Sequence, residues 1–497
     1  MKRRAGVLLN VSSLPGQYGI GGFSCNADQF VEEIASMGFK IWQTLPITTL
    51  GWGNSPYSGI SSFAGNYLYI DLERVPFLSR EELNNARYNG DIYLTDYDFV
   101  KETKSKYIKT AYYRRDADMQ NRIDAFKTEN ADWLIDYAVF RTLKDKFEQK
   151  SWQLWEEKYK RYSKELIETI IREEYDSVNY YCFEQYLFYS QWAIIKDVAR
   201  LCGVEIFGDL PIYVCYDSVD VWSNTEMFKL DENLAPTLVA GVPPDYFAKD
   251  GQLWGNPLYD YEKMAKDNYS WWVKRICHGL KLYDILRIDH FRGLYEYWAV
   301  DASATTAVNG KWEKGPGLAL FDALRKVIPE PKIVAEDLGL IDQDVIDFVN
   351  DCGFYGMRVM QFGFDDDPEN RHLPHNYDKE CVAYTGTHDN DTTLGWLLSL
   401  PPNVLESALN YVNCDPSYGW ANGGGQCRAT KAYMRSLLAS SANLAIIPMQ
   451  DLCGYGSDTR MNVPGQAENC WRYRTNYSAI NNIDREFVRN MIKMYGR

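Results

Sequence analysis

Charged residues stand at the ends of several apolar segments of this sequence. In the string LRIDHF (286–291), Arg287, Asp289 and His290 follow a largely apolar run that begins at Leu282. Removing such charges from water is unfavourable unless each of them has a partner. Side chains alternate along a strand, so Arg287 and Asp289 share one face, and the arginine can hold the aspartate ionised with a low pKa.

Other acidic residues and a histidine occupy the same kind of position. They are Asp209 in GDLPIYV, Glu336 and Asp337 in VAEDLG, and His388 and Asp389 in YTGTHDND. Each residue alone has an ordinary structural explanation, because an aspartate at a strand end often caps the helix that follows. Their recurrence at strand ends indicates a shared site more strongly than any single residue does.

Two carboxyl groups of this set suit the cleavage of a glycosidic bond. Repulsion from Asp289 and Asp389 should raise the pKa of Glu336 and keep this group protonated. A retaining glycosidase places an ionised nucleophile and a protonated general acid about 5–5.5 Å apart. Asp289 and Glu336 therefore predict this chemistry, and His388 with Asp389 would bind hydroxyl groups of the sugar.

The residues that precede these charges predict the fold. Apolar, β-branched segments of buried-strand length occur at 5–14, 39–47, 204–214, 282–290, 332–339, 356–365, 381–390 and 443–452. Helical patterns such as 26–38 and 318–328 separate many of them, which indicates parallel strands joined by helices. Eight such strands predict an α/β fold, a closed (β/α)8 TIM barrel whose active site lies at the carboxyl ends of the strands.

The connections between the predicted strands differ greatly in length. We expect a single catalytic barrel over residues 1–497, with a mainly helical subdomain inserted at about 67–185, between the second and third strands. A second long connection, at about 241–261, follows the third strand and contains glycines, paired prolines and aromatic residues. Its composition is typical of a lid over the barrel mouth.

Composition and charge argue against several classes of binding partner. The formal net charge of -15 argues against nucleic acid or an anionic membrane as a binding partner. No segment has the length and apolarity of a membrane span. The 11 cysteines include no C-x-x-C pair, which favours reduced thiols in a cytoplasmic protein. The close pair His372 and His375 flanks a proline in a polar loop, so we expect neither a metal nor a cofactor.

Several strings resemble those of a known enzyme family. LRIDHFRG, VAEDLG, YTGTHDND, GDLPIYV and GQLWGNPLYDY are similar to strings in the 4-α-glucanotransferases called amylomaltases or disproportionating enzymes, relatives of the α-amylases. The resemblance runs from SSLPG (12–16) to RMNVPG (460–465). It implies that Asp289 is the nucleophile, Glu336 the acid and base, and Asp389 the residue that stabilises the transition state.

The resemblance also implies a set of substrate-binding residues and a reaction. The sugar-binding residues would be Tyr57, Asp209, Tyr246, Phe247, Trp254, Arg287, His388 and Asn462, of which Tyr246 and Phe247 belong to the family's mobile loop. The enzyme would transfer α-1,4-glucan segments from a donor maltooligosaccharide to the 4-hydroxyl group of a glucan or glucose. A covalent glucosyl ester on Asp289 would be the intermediate, with retention of configuration. The oligomeric state stays open.

Three alternatives are considered beside this interpretation. An amylase-like α-1,4-glucan hydrolase could use the same three carboxyl groups, since water and a sugar hydroxyl can attack the same ester. The aromatic residues near the predicted site favour transfer, because a stacked acceptor gains effective concentration over water. A catalytically silent glucan-binding protein has no need for carboxyl groups that repel one another. A phosphate-binding barrel enzyme is suggested by GYGS (454–457), but no lysine accompanies that string.

Overall fold

The computed structural model describes residues 1–244, 249–339, 341–466 and 468–497, apart from the side chain of Trp52. Its strands, numbered in chain order, are β1 Arg4–Leu8, β2 Ile41–Gln43, β3 Glu205–Leu210, β4 Leu238–Val242, β5 Gln252–Pro257, β6 Ile285–Ile288, β7 Glu296–Asp301, β8 Gly310–Lys314, β9 Ile333–Ala335, β10 Gly356–Val359, β11 Cys381–Tyr384 and β12 Leu444–Pro448.

Eight of these strands form the barrel that the sequence predicts. They are parallel and follow the order β10-β11-β12-β1-β2-β3-β6-β9, so neighbours along the chain are neighbours in the sheet. A parallel bridge between Val334 and Tyr355 joins β9 to β10, and the Ala335 N–H donates to the Tyr355 carbonyl at 2.8 Å. The ring of strands is closed by this bridge, and the predicted α/β TIM-barrel class is confirmed.

The first barrel helix shows why the β-α alternation forms. Helix α1 (Cys25–Ser36) joins β1 to β2, and the Ser24 hydroxyl accepts the Asn26 N–H to cap its first turn. Its buried residues Ala27, Phe30, Val31 and Ile34 recur at helical spacing and face the barrel.

A long helical segment separates β2 from β3. Its helices are α2 Arg80–Asn85, α3 Tyr97–Tyr113, α4 Ala117–Glu129, α5 Leu134–Lys146, α6 Glu157–Lys160, α7 Lys164–Glu173 and α8 Tyr175–Leu201. Helix α8 packs against α1, α5 and β3, so its apolar face continues the core of the barrel. The mainly helical insertion between the second and third barrel strands is therefore present.

The remaining α-helices lie in the last two thirds of the chain. They are α9 Val219–Trp222, α10 Tyr261–Ala265, α11 Ser270–Leu282, α12 Leu318–Arg325, α13 Gln343–Asp351, α14 Thr393–Ser399, α15 Pro402–Tyr411, α16 Arg428–Ala439, α17 Met449–Cys453, α18 Tyr477–Asn481 and α19 Arg485–Met494. No helix in the described part of the chain is long and apolar enough to cross a bilayer. All 11 cysteines carry free thiols.

A second, antiparallel sheet lies outside the barrel, in the order β5-β4-β7-β8. The segment predicted as a lid loop therefore begins within β4 and contains β5, and residues 243–251 connect the two strands. This sheet was not predicted from the sequence, since β7 (EYWAVD) has only four apolar residues between two charged ones and β8 (GKWEK) is mostly charged. Tyr246 and Phe247 lie in the connection, outside the described residues.

Candidate active site

Arg287 connects two of the carboxylates that the sequence singled out. It lies on β6 directly opposite Asp209 of β3 in the register of the barrel. Its Nη1 donates to Oδ1 and Oδ2 of Asp209 at 2.8 and 2.6 Å, and its Nη2 donates to Oδ1 of Asp289 at 2.7 Å. All three side chains lie at the carboxyl ends of neighbouring strands, and the guanidinium fixes the Asp289 carboxylate in one orientation.

Asp289 has a pKa above its ordinary value, which corrects the low pKa expected from the sequence. Its side chain is 30 % exposed, and the partial burial raises its pKa, opposed by Arg287 and reinforced by the charges of Asp209 and Asp389. The pairing with Arg287 is present as expected. Its lowering effect on the pKa of Asp289 is outweighed by burial together with the charges of Asp209 and Asp389.

Glu336 follows β9 and accepts two backbone hydrogen bonds. The His290 N–H donates to its Oε2 at 2.6 Å, and the Leu338 N–H donates to its Oε1 at 2.9 Å. Burial, together with the charge of Asp289, raises the pKa of Glu336 to about 8. The predicted direction is confirmed, although burial is the larger cause and repulsion the smaller one. Glu336 is therefore mostly protonated at neutral pH, beside a second carboxyl group.

Asp389 lies in the loop that follows β11 and has a more exposed side chain than Asp289. Its side chain is 42 % exposed, and its Oδ2 lies 3.3 Å from the His388 Nε2. Its Oδ1 accepts a hydrogen bond from the Asn462 Nδ2 at 2.6 Å. Asn462, which the family resemblance implies as a sugar-binding residue, thus contacts Asp389.

Tyr57 connects the Asp389 side of the site to the Arg287 side. Its ring stacks on the His388 imidazole, with centroids 5.2 Å apart and planes at 10°. Its hydroxyl donates to Oδ2 of Asp209 at 2.8 Å. Burial and the charge of Asp209 raise the pKa of Tyr57 well above its usual value, so the hydroxyl keeps its proton.

Trp254 reaches the site from the antiparallel sheet. Its indole is 37 % exposed and meets the His290 ring edge to face, with centroids 4.9 Å apart. The pairing of β4 with β5 shifts register between Val239 and Gly241, and Gly255 has a φ of +74°. Such a β-bulge turns side chains away from the regular alternation, which accounts for the aim of Trp254 toward the barrel mouth.

Some neighbours of the site were not among the predicted site residues. The Arg460 Nη2 donates to the Asp389 carbonyl at 2.6 Å, and the Trp471 ring lies 5.8 Å from that of Tyr57. His290, which the sequence singled out beside Asp289 without a role, binds Glu336 through its backbone N–H. Arg460 belongs to the quoted string RMNVPG, which could have indicated it, whereas Trp471 belongs to none of the quoted strings.

The arrangement can support acid-assisted displacement at a carbon that bears a poor leaving group. A protonated carboxyl group and a second carboxyl group held by an arginine lie on adjacent strands, with a third carboxylate nearby. Among the described residues, no group of three or more His, Cys, Asp or Glu side chains is arranged to hold a metal ion. The exposed surfaces of Trp254 and Asp389 leave the site open to a ligand.

Comparison with known proteins finds relatives of this chain along nearly its whole length. The family model for 4-alpha-glucanotransferase matches residues 9–479. The chain is 40 % identical to the 4-alpha-glucanotransferase of Clostridium butyricum over 496 residues, covering 98 % of this chain and 100 % of that protein. It is 39 % identical to the 4-alpha-glucanotransferase of Aquifex aeolicus over 500 residues, covering 100 % and 99 % of the two chains.

A solved structure agrees with these sequence matches. The amylomaltase from Streptococcus agalactiae superposes with a TM-score of 0.94 at 35 % identity, covering 100 % of both chains. Each match spans nearly the whole chain, and with it the barrel strands and the helical segment between β2 and β3. The chain belongs to the 4-alpha-glucanotransferase family.

Proposed function

We propose that Asp289 is the nucleophile of the glucan transfer reaction, Glu336 its acid and base, and Asp389 the residue that stabilises the transition state. The observation that carries this assignment is the Arg287 bridge, which fixes the Asp289 carboxylate next to a Glu336 carboxyl group with a pKa of about 8. A held nucleophile beside a protonated acid is the pair that a retaining glycoside cleavage requires.

In the first half of the reaction, Asp289 attacks the anomeric carbon of a donor glucan. The α-1,4 bond breaks, Glu336 gives its proton to the departing 4-oxygen, and a β-linked glucosyl ester forms on Asp289. Positive charge develops on the sugar ring during this step. Asp389, which is held toward the site by Asn462, would stabilise that charge.

In the second half, the 4-hydroxyl group of an acceptor attacks the anomeric carbon from the face that the first leaving group left, opposite Asp289, and the bond between that carbon and Asp289 breaks. Glu336, now a carboxylate, takes the proton of that hydroxyl, and Asp289 leaves as a carboxylate. The structure supports this change of role, because the charge of Asp289 raises the pKa of Glu336. Once Asp289 is a neutral ester, that contribution disappears and Glu336 releases its proton more readily.

The other predicted residues would bind the sugar around this centre. Asp209 and Arg287 lie beside the nucleophile, and His388 lies beside Asp389. The aromatic side chains of Tyr57 and Trp254 would offer surfaces for stacking to glucose rings. We propose that Tyr246 and Phe247 also stack on glucose rings. Asn462 would contact the bound glucan.

The substrates proposed here are maltooligosaccharides and other α-1,4-glucans, with glucose as an acceptor. The Streptococcus agalactiae amylomaltase was solved in complex with acarbose, which supports a sugar ligand for this barrel. We further propose that residues 67–185 act as a helical subdomain and 241–261 as a lid. A cytoplasmic location is proposed from the free thiols.

Maltotriose as the sole substrate tests transfer. Each transfer breaks one α-1,4 bond and makes another, so the number of reducing ends stays constant. We expect glucose and a ladder of longer maltooligosaccharides by chromatography while total reducing sugar stays almost flat. The Asp289→Asn variant is the control and should give neither product. A steady rise of reducing sugar in step with maltotriose consumption would instead identify a hydrolase.

A further inference from the structure

Arg460 joins the loop that carries Asp389 to the loop that carries Asn462. Its Nη2 donates to the Asp389 carbonyl at 2.6 Å, and its Nε donates to the Asn462 carbonyl at 2.7 Å. We propose that Arg460 is a positioning residue for glucan transfer. It fixes the Asp389 carboxylate by holding the backbone of Asp389 and the backbone of Asn462, which binds that carboxylate. This inference rests on the role of Asp389 proposed above.

The contacts of the Asp389 side chain explain why its position depends on Arg460. The carboxylate is 42 % exposed, and its distance to the His388 Nε2 is 3.3 Å. Its shorter contact is the hydrogen bond from the Asn462 Nδ2, at 2.6 Å. Asn462 comes from the loop after α17, whereas Asp389 comes from the loop after β11. A movement of one loop relative to the other would therefore turn or release the carboxylate.

A guanidinium suits this task because its nitrogens form a rigid, planar fork. Two donors of one guanidinium bind the two carbonyl oxygens. The backbones of Asp389 and Asn462 are therefore held at a fixed distance from each other. Lysine has a single ammonium group on a flexible stem and cannot reproduce this geometry. The Arg460 backbone is itself held, since its N–H donates to the Ser457 carbonyl at 3.1 Å.

Other contacts join the β11 loop to the segment that follows β12, at a distance from Asp389. The buried Asp451 carboxylate accepts hydrogen bonds from the Thr385 and Thr393 hydroxyls at 2.6 and 2.7 Å, and Ser457 donates to Asp391 at 2.7 Å. These contacts hold the beginning and end of the β11 loop. Loss of the Arg460 side chain should therefore leave the loops folded and alter the middle of the β11 loop, where Asp389 lies.

The test is a double-mutant cycle with Arg460→Ala and Asp389→Asn. We expect Arg460→Ala to lower kcat about 100-fold, since a displacement of about 1 Å of a catalytic group has effects of this size. The loss should appear both with maltotriose and with α-maltosyl fluoride, because stabilisation of the transition state does not depend on the leaving group. If Arg460 acts through Asp389, adding Arg460→Ala to Asp389→Asn should lower kcat less than threefold further.

The control is Arg3→Ala, at the opposite end of the barrel. Arg3 also donates to two successive backbone carbonyls, those of Ser440 and Ser441, at 2.9 and 3.2 Å, and its loss should leave kcat unchanged. Arg460→Lys should keep the fold and recover less than a tenth of the lost activity. If Arg460→Ala does not fold, the kcat of Arg460→Lys provides the test instead.

Three results would overturn the role of Arg460. They are a kcat of Arg460→Ala within threefold of the unmodified enzyme, full activity of Arg460→Lys, and losses that multiply independently in the double variant. Near-normal activity of Asp389→Asn alone would instead refute the proposed role of Asp389, so the two failures are distinguishable.

Discussion

Replacing Glu336 with glutamine separates its role as an acid from its role in holding the fold. Glutamine keeps the size of the side chain but has no proton to give to the departing 4-oxygen. General acid catalysis contributes about 10²–10⁴-fold to such reactions, so kcat on maltotriose should fall by about this factor. With α-maltosyl fluoride the leaving group needs no proton, and the glucosyl ester should still form at a rate close to normal.

The structure also predicts a cost in stability for this substitution. Both Glu336 oxygens accept backbone N–H groups, from His290 and from Leu338. A glutamine offers one oxygen, and its NH₂ group would face a second donor. An unsatisfied buried donor costs about 1–3 kcal/mol, which urea unfolding should detect as a lower free energy of unfolding.

The pH profile supplies the second measurement for Glu336. Its acid form is present below the raised pKa of about 8, so formation of the ester from maltotriose should slow as pH rises through that value. The same step with α-maltosyl fluoride should lack this alkaline limb. Stopped-flow measurement of fluoride release and single-turnover assays on maltotriose give the two profiles. Equal losses in Glu336→Gln on both donors, or one shared alkaline limb, would refute the acid assignment.

Other perturbations of the site have separate expected outcomes. Asp289→Asn should lower kcat by several orders of magnitude on either donor while the circular dichroism spectrum stays unchanged, since the attacking charge is lost. Arg287→Lys should lower the free energy of unfolding by about 1.5–3 kcal/mol in urea titrations, because one ammonium group replaces only part of the bridge between two carboxylates. Tyr57→Ala should raise the ratio of hydrolysis to transfer in the maltotriose assay, because a lost stacking surface costs the acceptor about 0.5–1.5 kcal/mol. Gly255→Ala should raise the KM for the acceptor through a misplaced Trp254, since a φ of +74° disfavours any side chain by about 1–2 kcal/mol.

The grouping of the charged residues at the strand ends could be predicted from the sequence, because barrel topology follows from the order of strands and helices. Parallel strands joined by helices bring their carboxyl ends to one face, so a residue just after a strand is already placed near the site. Asp209, Arg287, Asp289, Glu336 and Asp389 each follow or end an apolar segment. Their convergence required only the identification of eight strands.

The antiparallel sheet could not be predicted in the same way. Trp298 of β7 lies opposite Trp312 of β8, and β4 pairs with β7 more than 50 residues later in the chain. Strands of this kind are stabilised by their cross-strand partners, which short-range patterns do not contain. The direction of the Trp254 side chain depends on this sheet, so the string GQLWGNP alone could not predict it.

Residue types and strand ends therefore determined the barrel and the grouping of charged residues at the carboxyl ends of its strands. Tertiary structure decided the protonation and orientation of those groups. Asp289 has a raised rather than a lowered pKa because burial, reinforced by the charges of Asp209 and Asp389, outweighs the effect of Arg287. Glu336 owes its high pKa mainly to burial. Arg460 reaches Asp389 across 71 positions of sequence. Burial and distances between residues remote along the chain set these properties, and they exist only once the chain has folded.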